Sequence, residues 1–439
     1  MNVLEGKRFR AAYLAFVLFT LLAGDAWRYS VSWYGFAVIA VGMTVVSVVL
    51  IARAHARSVW TWTSLPVFLV LFLALATVSV AWSFYPGATA LGLLTTWMTV
   101  AIAFSISVTY RWEEILRALG TALRITLGLS LVFEFVVAVF VRHPILPFWV
   151  DYGRETHLPK LLYWSRDLLF SGGKIQGIVG NSSLLAFVAL LAVIVFSVEL
   201  AARSSRRIVS VLWLLVAAAT IALTRSATIT VALVALALVT ITVLLLRRAG
   251  PRATAAIYVS ALALIAAGVS LAITFSSTVL SALGKSDDLT GRLDIWNAVI
   301  TLAQQRPAFG WGWVSWWVPW VAPFDTLAFE SGVRQLHAHN AWLDIFLQLG
   351  VAGLVVFGVL VLGTAIRSWQ FATQAQISGR DDAGRHTAVS MLPLLILVAL
   401  LVQSLAESRL LIEYGLLLLV IIAVKTKLGD RTRIGTPGR

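Results

Sequence analysis

Residues 178–200, IVGNSSLLAFVALLAVIVFSVEL, form an apolar run. As a helix it is long enough to cross the ~30 Å hydrocarbon core of a bilayer. The run is not isolated: others lie near 11–24, 32–52, 64–83, 87–108, 122–141, 208–223, 227–246, 254–275, 341–366, 389–406 and 409–426. With 60% hydrophobic and only 12% charged residues over 439 positions, the chain lacks the polar surface of an ordinary soluble domain. The pattern predicts an all-α polytopic integral membrane protein of about 12 transmembrane helices. It forms a single membrane-embedded domain over 1–439, with long outward loops at about 142–177 and 276–340 that carry short interfacial helices.

The N-terminus, MNVLEGKRFR followed by AAYLAFVLFTLLAG, has the charge order of a signal peptide without a convincing small-residue cleavage site, and reads as a retained first helix. With that end inside, cytoplasmic segments hold 22 of the 34 Lys and Arg, among them Arg8, Arg10, Arg206, Arg207, Arg247 and Arg248. The net charge of +14 is then explained by anchoring to anionic lipid headgroups, and nucleic-acid binding is not indicated. Anchoring leaves a basic surplus outside: Arg142, Arg154, Lys160, Arg166, Lys174, Arg225, Lys285, Arg292, Arg306, Arg334 and Arg409. These positions suggest an anionic ligand on the outer face. The absence of cysteine removes disulfides, thiolate metal sites and cysteine nucleophiles.

No repeat relates the two halves, and no pair of Gly/Pro-broken spans marks an inverted-repeat transporter. Ionisable residues within spans are few, chiefly Glu134, Asp344 and Glu413, which also argues against a proton or ion pathway. In the first outward loop, LPKLLYWSRDLLFSGGK (158–174) reads as interfacial, with Leu161, Leu162, Trp164, Leu168, Leu169 and Phe170 toward lipid and Lys160, Arg166 and Lys174 outward. Asn181 or Ser182 then caps the helix that follows.

The polar island from Asp288 to Gly353 concentrates the chemistry. SDDLTGRLDIWNAVITLAQQRP predicts a short amphipathic helix with Thr290 as N-cap, Arg292 in the first turn, Leu293, Trp296 and Ile300 on one face, and Pro307 as its stop. Gly310 and Gly312 permit a tight backbone path. His339, beside Asn340 at a helix start, either caps or hydrogen-bonds at the interface, or serves as a neutral base toward a sugar hydroxyl. Spacing leaves His337 open for the same role. Arg225, in the short turn LTRSAT, either snorkels or joins Arg292 in gripping a diphosphate, a pair able to replace a metal. Trp311, Trp313, Trp316, Trp317 and Trp320 suit an interfacial belt, with a minority free to stack on sugars. Glu407 and Arg409 either pair with each other or line the same cavity. Asp287 and Asp288 offer too few oxygen ligands for a metal and read as turn and capping residues, and no GxSxG element supports a serine triad.

Gly291, Arg292, Trp296, Pro307, Gly310 and Gly312, then His339, Asn340, Leu343, Gly350 and Gly353, with Arg225 in TRSA and GNSS at 180–183, resemble the O-antigen ligase and polymerase superfamily of bacterial envelope glycosyltransferases over roughly 175–365. The resemblance implies periplasmic transfer of a glycan from an undecaprenyl-diphosphate-linked donor, without nucleotide sugar, metal or other cofactor. By residue, it implies His339 as the acceptor-activating base and Arg225 and Arg292 as the diphosphate-binding arginines. His337, Asn340, Arg166, Lys174, Asn181, Trp296, Arg334, Glu407 and Arg409 are the supporting candidates. Acceptors differ among relatives: the lipid A core for ligases, another lipid-linked unit for polymerases, a Ser or Thr hydroxyl for protein oligosaccharyltransferases. The compact chain and its combined Arg and His loop favour the ligase, in contact with membrane lipids and no nucleic acid. An exporter of a lipid-linked or anionic solute is the non-enzyme alternative.

Overall fold

The computed structural model describes residues 6–150, 158–274, 288–330, 332–374, 376–378 and 381–434. Arg154, Lys285 and Asp287 lie outside the described residues. Every apolar run noted above is helical: α1 (Lys7–Leu22), α2 (Gly24–Ala56), α3 (Val67–Val78), α4 (Pro86–Thr109), α5 (Trp112–Val136), α6 (Ser182–Ala201), α7 (Arg207–Thr224), α8 (Ala227–Leu246) and α9 (Pro251–Thr274) precede the polar island. Within the island lies α10 (Asp288–Ala303); α11 (Ala341–Thr373), α12 (Leu392–Ser404) and α13 (Glu413–Ile434) complete the bundle. Eight of the described helices, α2, α4 to α9 and α11, are long and apolar enough to cross a membrane, whereas α3 and α12 are shorter apolar helices and α1 has 16 residues. Two small hairpins pair Phe329–Glu330 with Val333–Arg334 and Gln376–Ser378 with Asp381–Arg385.

Contacts between distant segments sort the helix ends into two groups. At one end Arg10 donates to Thr109 O at 2.8 Å and Lys425 to Tyr110 O at 2.6 Å, so the first and last helices meet the same short connection. Arg247 likewise bonds Ala372 O at 2.6 Å. At the opposite end, Arg28 of α2 reaches Glu413 of α13 at 2.6 Å, and Trp82 after α3 donates to Phe309 O at 3.1 Å. Both outward loops therefore fold over the end that lies away from the described chain termini. In the middle stands α6, largely buried, whereas α9 lies exposed at the periphery.

The first outward loop differs from its predicted form. Among its described residues it has a 3-10 turn at Lys160–Leu162 and no longer helix. Trp164 is buried against Tyr29, Phe133 and Phe148 rather than turned to lipid. The cause is Glu134, buried in α5, which accepts from Gln176 N at 2.8 Å, Gly177 N at 2.7 Å and Ser165 Oγ at 3.0 Å. A buried carboxylate needs such donors, and drawing them in folds the loop onto the bundle.

The second loop is inserted into a broken helix. Inside α11, Gly350 adopts φ 64°, and the helical bonds across it are lost. Val351 N and Ala352 N instead donate to Pro307 O at 2.8 Å and Ala308 O at 3.1 Å. The freed Leu347 O and Gln348 O accept from Trp311 N and Gly312 N, both at 3.0 Å. The exchange re-pairs these four backbone groups at the break. It requires close approach: a Cβ on Gly310 would stand 2.5 Å from Gln348 C, and one on Gly350 2.5 Å from Ala308 C.

That insertion corrects the aromatic belt. Trp313 and Trp317 are fully buried and Trp311 nearly so; Trp316 stacks on Trp33 at 5.9 Å, and Trp320 alone of the five is well exposed. The buried face of α10 is also rotated from expectation, presenting Ile295, Val299 and Ala303 while Leu293 is exposed. Thr290 lies within α10 and not ahead of it.

Candidate functional site

Asn340 caps α11 by accepting from Trp342 N at 3.0 Å and Leu343 N at 3.3 Å, which fixes the chain just upstream. There His339 takes a left-handed φ of 50°, a strained conformation for a side chain of its size. Two ties hold the segment. Trp296 of α10 donates to Ala338 O at 3.0 Å, and buried Asp344 accepts from Ala338 N at 3.0 Å and Trp317 Nε1 at 2.8 Å. Asp344 also accepts from the Ser408 hydroxyl, so one carboxylate locks the histidine loop to the turn after α12.

That turn delivers Glu407. Its Oε2 lies 3.2 Å from His339 Nδ1, while its Oε1 accepts from Arg292 Nη2 at 3.3 Å. Burial alone would raise the Glu407 carboxyl, but His339, its hydrogen bond, His337 and Arg292 outweigh that cost and hold it down at about 2. The carboxylate is therefore charged near neutrality. His337, by contrast, is pushed well below the usual histidine range, first by burial and then by the nearby His339. Its Nδ1 accepts from His339 N at 3.0 Å, which leaves the proton on Nε2, 4.0 Å from Glu407. In this arrangement Nδ1 of His337 is occupied and Nε2 carries no free lone pair.

His339 is arranged differently. Its Nε2 stands 3.0 Å from Gln335 Oε1, an amide oriented by donating to Val333 O at 3.1 Å. Both ring nitrogens thus face oxygens, and the tautomer with Nδ1–H on Glu407 keeps a lone pair on Nε2. Ligating atoms of His337, His339 and Glu407 lie within 4.8 Å of one another, the composition of a divalent-metal site. Arg292, on the other Glu407 oxygen, adds a positive charge that opposes a dication there.

The remaining candidates spread over the same end. Arg225 ends α7 with a left-handed φ of 49°, and its exposed guanidinium makes no ion pair among the described residues. A Cβ on Gly172 would stand 3.9 Å from its Nη2, in a loop that donates Ile175 N to Leu223 O at 3.4 Å. In that loop Arg166 donates to Gln176 at 3.0 Å, and Lys174 is half-buried. Asn181 caps α6 through Ser183 N at 2.8 Å. Arg334 donates to Pro319 O at 2.6 Å on the exposed hairpin. Glu407 and Arg409 do not pair with each other, because Arg409 is taken by Glu413 and lies 3.9 Å from Asp25. Gln335 was not singled out by the sequence, and Asp344 was noted only as an ionisable span residue; neither has a local pattern that reveals its partners.

Fold and site together define a polytopic membrane protein with a histidine–carboxylate–arginine cluster at one end of its helices. Residues 210–358 match the O-antigen ligase family. The matched segment includes Arg225, Arg292, His337 and His339 and ends before Glu407. It supports glycan transfer of the ligase or polymerase type as the general activity. No curated protein matches the chain.

Proposed function

We propose that this protein is an O-antigen ligase that moves glycan from undecaprenyl diphosphate to the lipid A core oligosaccharide. In this reading it spans the bacterial inner membrane with both termini cytoplasmic and the site periplasmic. The observation that carries the reading is the Glu407 bridge, 3.2 Å from His339 and 3.3 Å from Arg292, because it joins a base to a diphosphate-binding cation at one point.

The donor tail enters laterally between helices, and its diphosphate rests on Arg292 and Arg225. The exposed guanidinium of Arg225, which makes no ion pair among the described residues, supports this. The acceptor hydroxyl takes the place of Gln335 at His339 Nε2. Its proton passes to that nitrogen as the oxygen attacks the anomeric carbon and the bond to the diphosphate breaks. Two arginines stabilise the charge on the departing diphosphate without a metal. One displacement inverts the anomeric configuration.

The test offers purified protein a lipid-linked glycan together with lipid A core, a second lipid-linked glycan, or a peptide. Transfer to the core is expected; transfer only to the lipid-linked glycan indicates a polymerase, and only to peptide a protein oligosaccharyltransferase. Liposomes with donor and acceptor on one side separate all three from an exporter, which forms no product. A His339→Ala variant that transfers at the wild-type rate refutes the base.

A further inference from the structure

We propose that Glu407 is a positioning residue that couples donor binding to the base: it orients His339 and, until a diphosphate arrives, serves as the internal anion on Arg292. The inference rests on the donor reading above.

Three observations carry it. The carboxylate is divided, Oε2 on His339 at 3.2 Å and Oε1 on Arg292 at 3.3 Å, so both groups share one charge. Its attachment is rigid on every side. Glu407 N donates to Gln403 O at 2.8 Å, Ser408 is held by Asp344, and Arg409 by Glu413. Arg292 is the looser partner, with a single nitrogen engaged at modest distance out of five donors. An arriving diphosphate therefore draws Arg292 away while Glu407 stays. Its charge, no longer shared with Arg292, then acts on the histidines, His339 nearest. The carboxylate thus competes with the donor for Arg292 yet improves the base once the donor has bound.

This predicts a split that a merely structural residue does not produce. In nanodiscs, full-length Glu407→Gln should bind undecaprenyl diphosphate about five- to tenfold more tightly than wild type, because Arg292 has lost its internal anion. Its transfer rate should fall on the order of 10²-fold, because His339 has lost its oriented, charged partner. Glu407→Asp keeps the charge and should bind with near wild-type affinity, with turnover reduced. In an Arg292→Ala background, Glu407→Gln should give no gain in binding. Weakened or unchanged binding in Glu407→Gln overturns the proposal, as does a gain that persists without Arg292. Should Glu407→Gln fail to fold, a gain in affinity for Glu407→Asp overturns it instead. If Arg292→Ala alone leaves binding unchanged, the diphosphate reading itself fails, and this inference with it; if Arg292→Ala weakens binding and Glu407→Gln does not tighten it, only the inference fails.

Discussion

Two groups of charges sit side by side at this end of the bundle, joined by the turn that runs from Glu407 to Glu413, and they differ in saturation. In the first, Arg28 donates Nε and Nη2 to Asp25 at 2.8 and 2.6 Å and Nη1 to Glu413 at 2.6 Å, while Arg409 closes the ring on Glu413. Two arginines face two carboxylates, and the charges cancel. In the second, a single carboxylate serves Arg292 and two histidines, each at longer range. The charge-balanced quartet reads as a brace between α2 and α13. The second group engages a single Arg292 nitrogen and leaves the other guanidinium donors without a partner among the described residues, the condition for receiving an anion. Burial is alike in the two; the range of the contacts and the share of arginine donors engaged separate them.

The comparison breaks most sharply at His339. His339→Ala should lower transfer by about 10²- to 10⁴-fold with no comparable loss of thermal stability, measured by turnover and melting of the purified protein. Arg28→Met should do the reverse. Removing one member of a buried ion pair strands the carboxylates of Asp25 and Glu413, at a cost of about 3–5 kcal/mol, while turnover per folded molecule changes far less than in His339→Ala. Equal loss of activity and stability in both variants would show that the two groups are one functional unit.

What the sequence disclosed, and what it did not, follows the range of the interactions. Apolar runs are local, and all proved helical, as did the α10 segment, although it begins at Asp288 and so carries Arg292 just past its first turn. The face that α10 buries was misjudged, because helical phase depends on what covers it: the His337–Asn340 segment and α11 lie against Trp296 and Ile295, not lipid. Trp313 and Trp317 were assigned to a belt for the same reason; the break at Gly350 that draws their loop inward involves residues with no shared periodicity. Arg292 and His339 were legible as candidates by residue type. Glu407 as their common partner was not, since it lies 68 residues from His339 and 115 from Arg292.

The unsaturated group also has a characteristic response to acid. Glu407 is held near about 2, below its ordinary 4.5, so it contributes stability above pH 4.5 that is lost as pH falls toward 2. Melting temperature followed from pH 6 downward should therefore decline more steeply through the window between about 4.5 and 2 in wild type than in Glu407→Gln. Parallel curves would mean that the carboxylate draws no net stabilisation from its cationic neighbours.

The smallest effect is expected where an outward cation belongs to neither group. Arg334 sits on the exposed hairpin, donating to Pro319 O at 2.6 Å and lying over Phe329 at 5.7 Å. Its charge adds to the basic surplus that first suggested an anionic ligand, yet its guanidinium is engaged locally, in water. Arg334→Ala should change stability by no more than about 0.5 kcal/mol and leave transfer within about twofold, because exposed charges are screened over roughly 10 Å. A loss approaching that of Arg292→Ala would shift the boundary of the anion site outward to the hairpin. Net charge on the outer face, and not the under-occupied cluster around Glu407, would then govern donor capture.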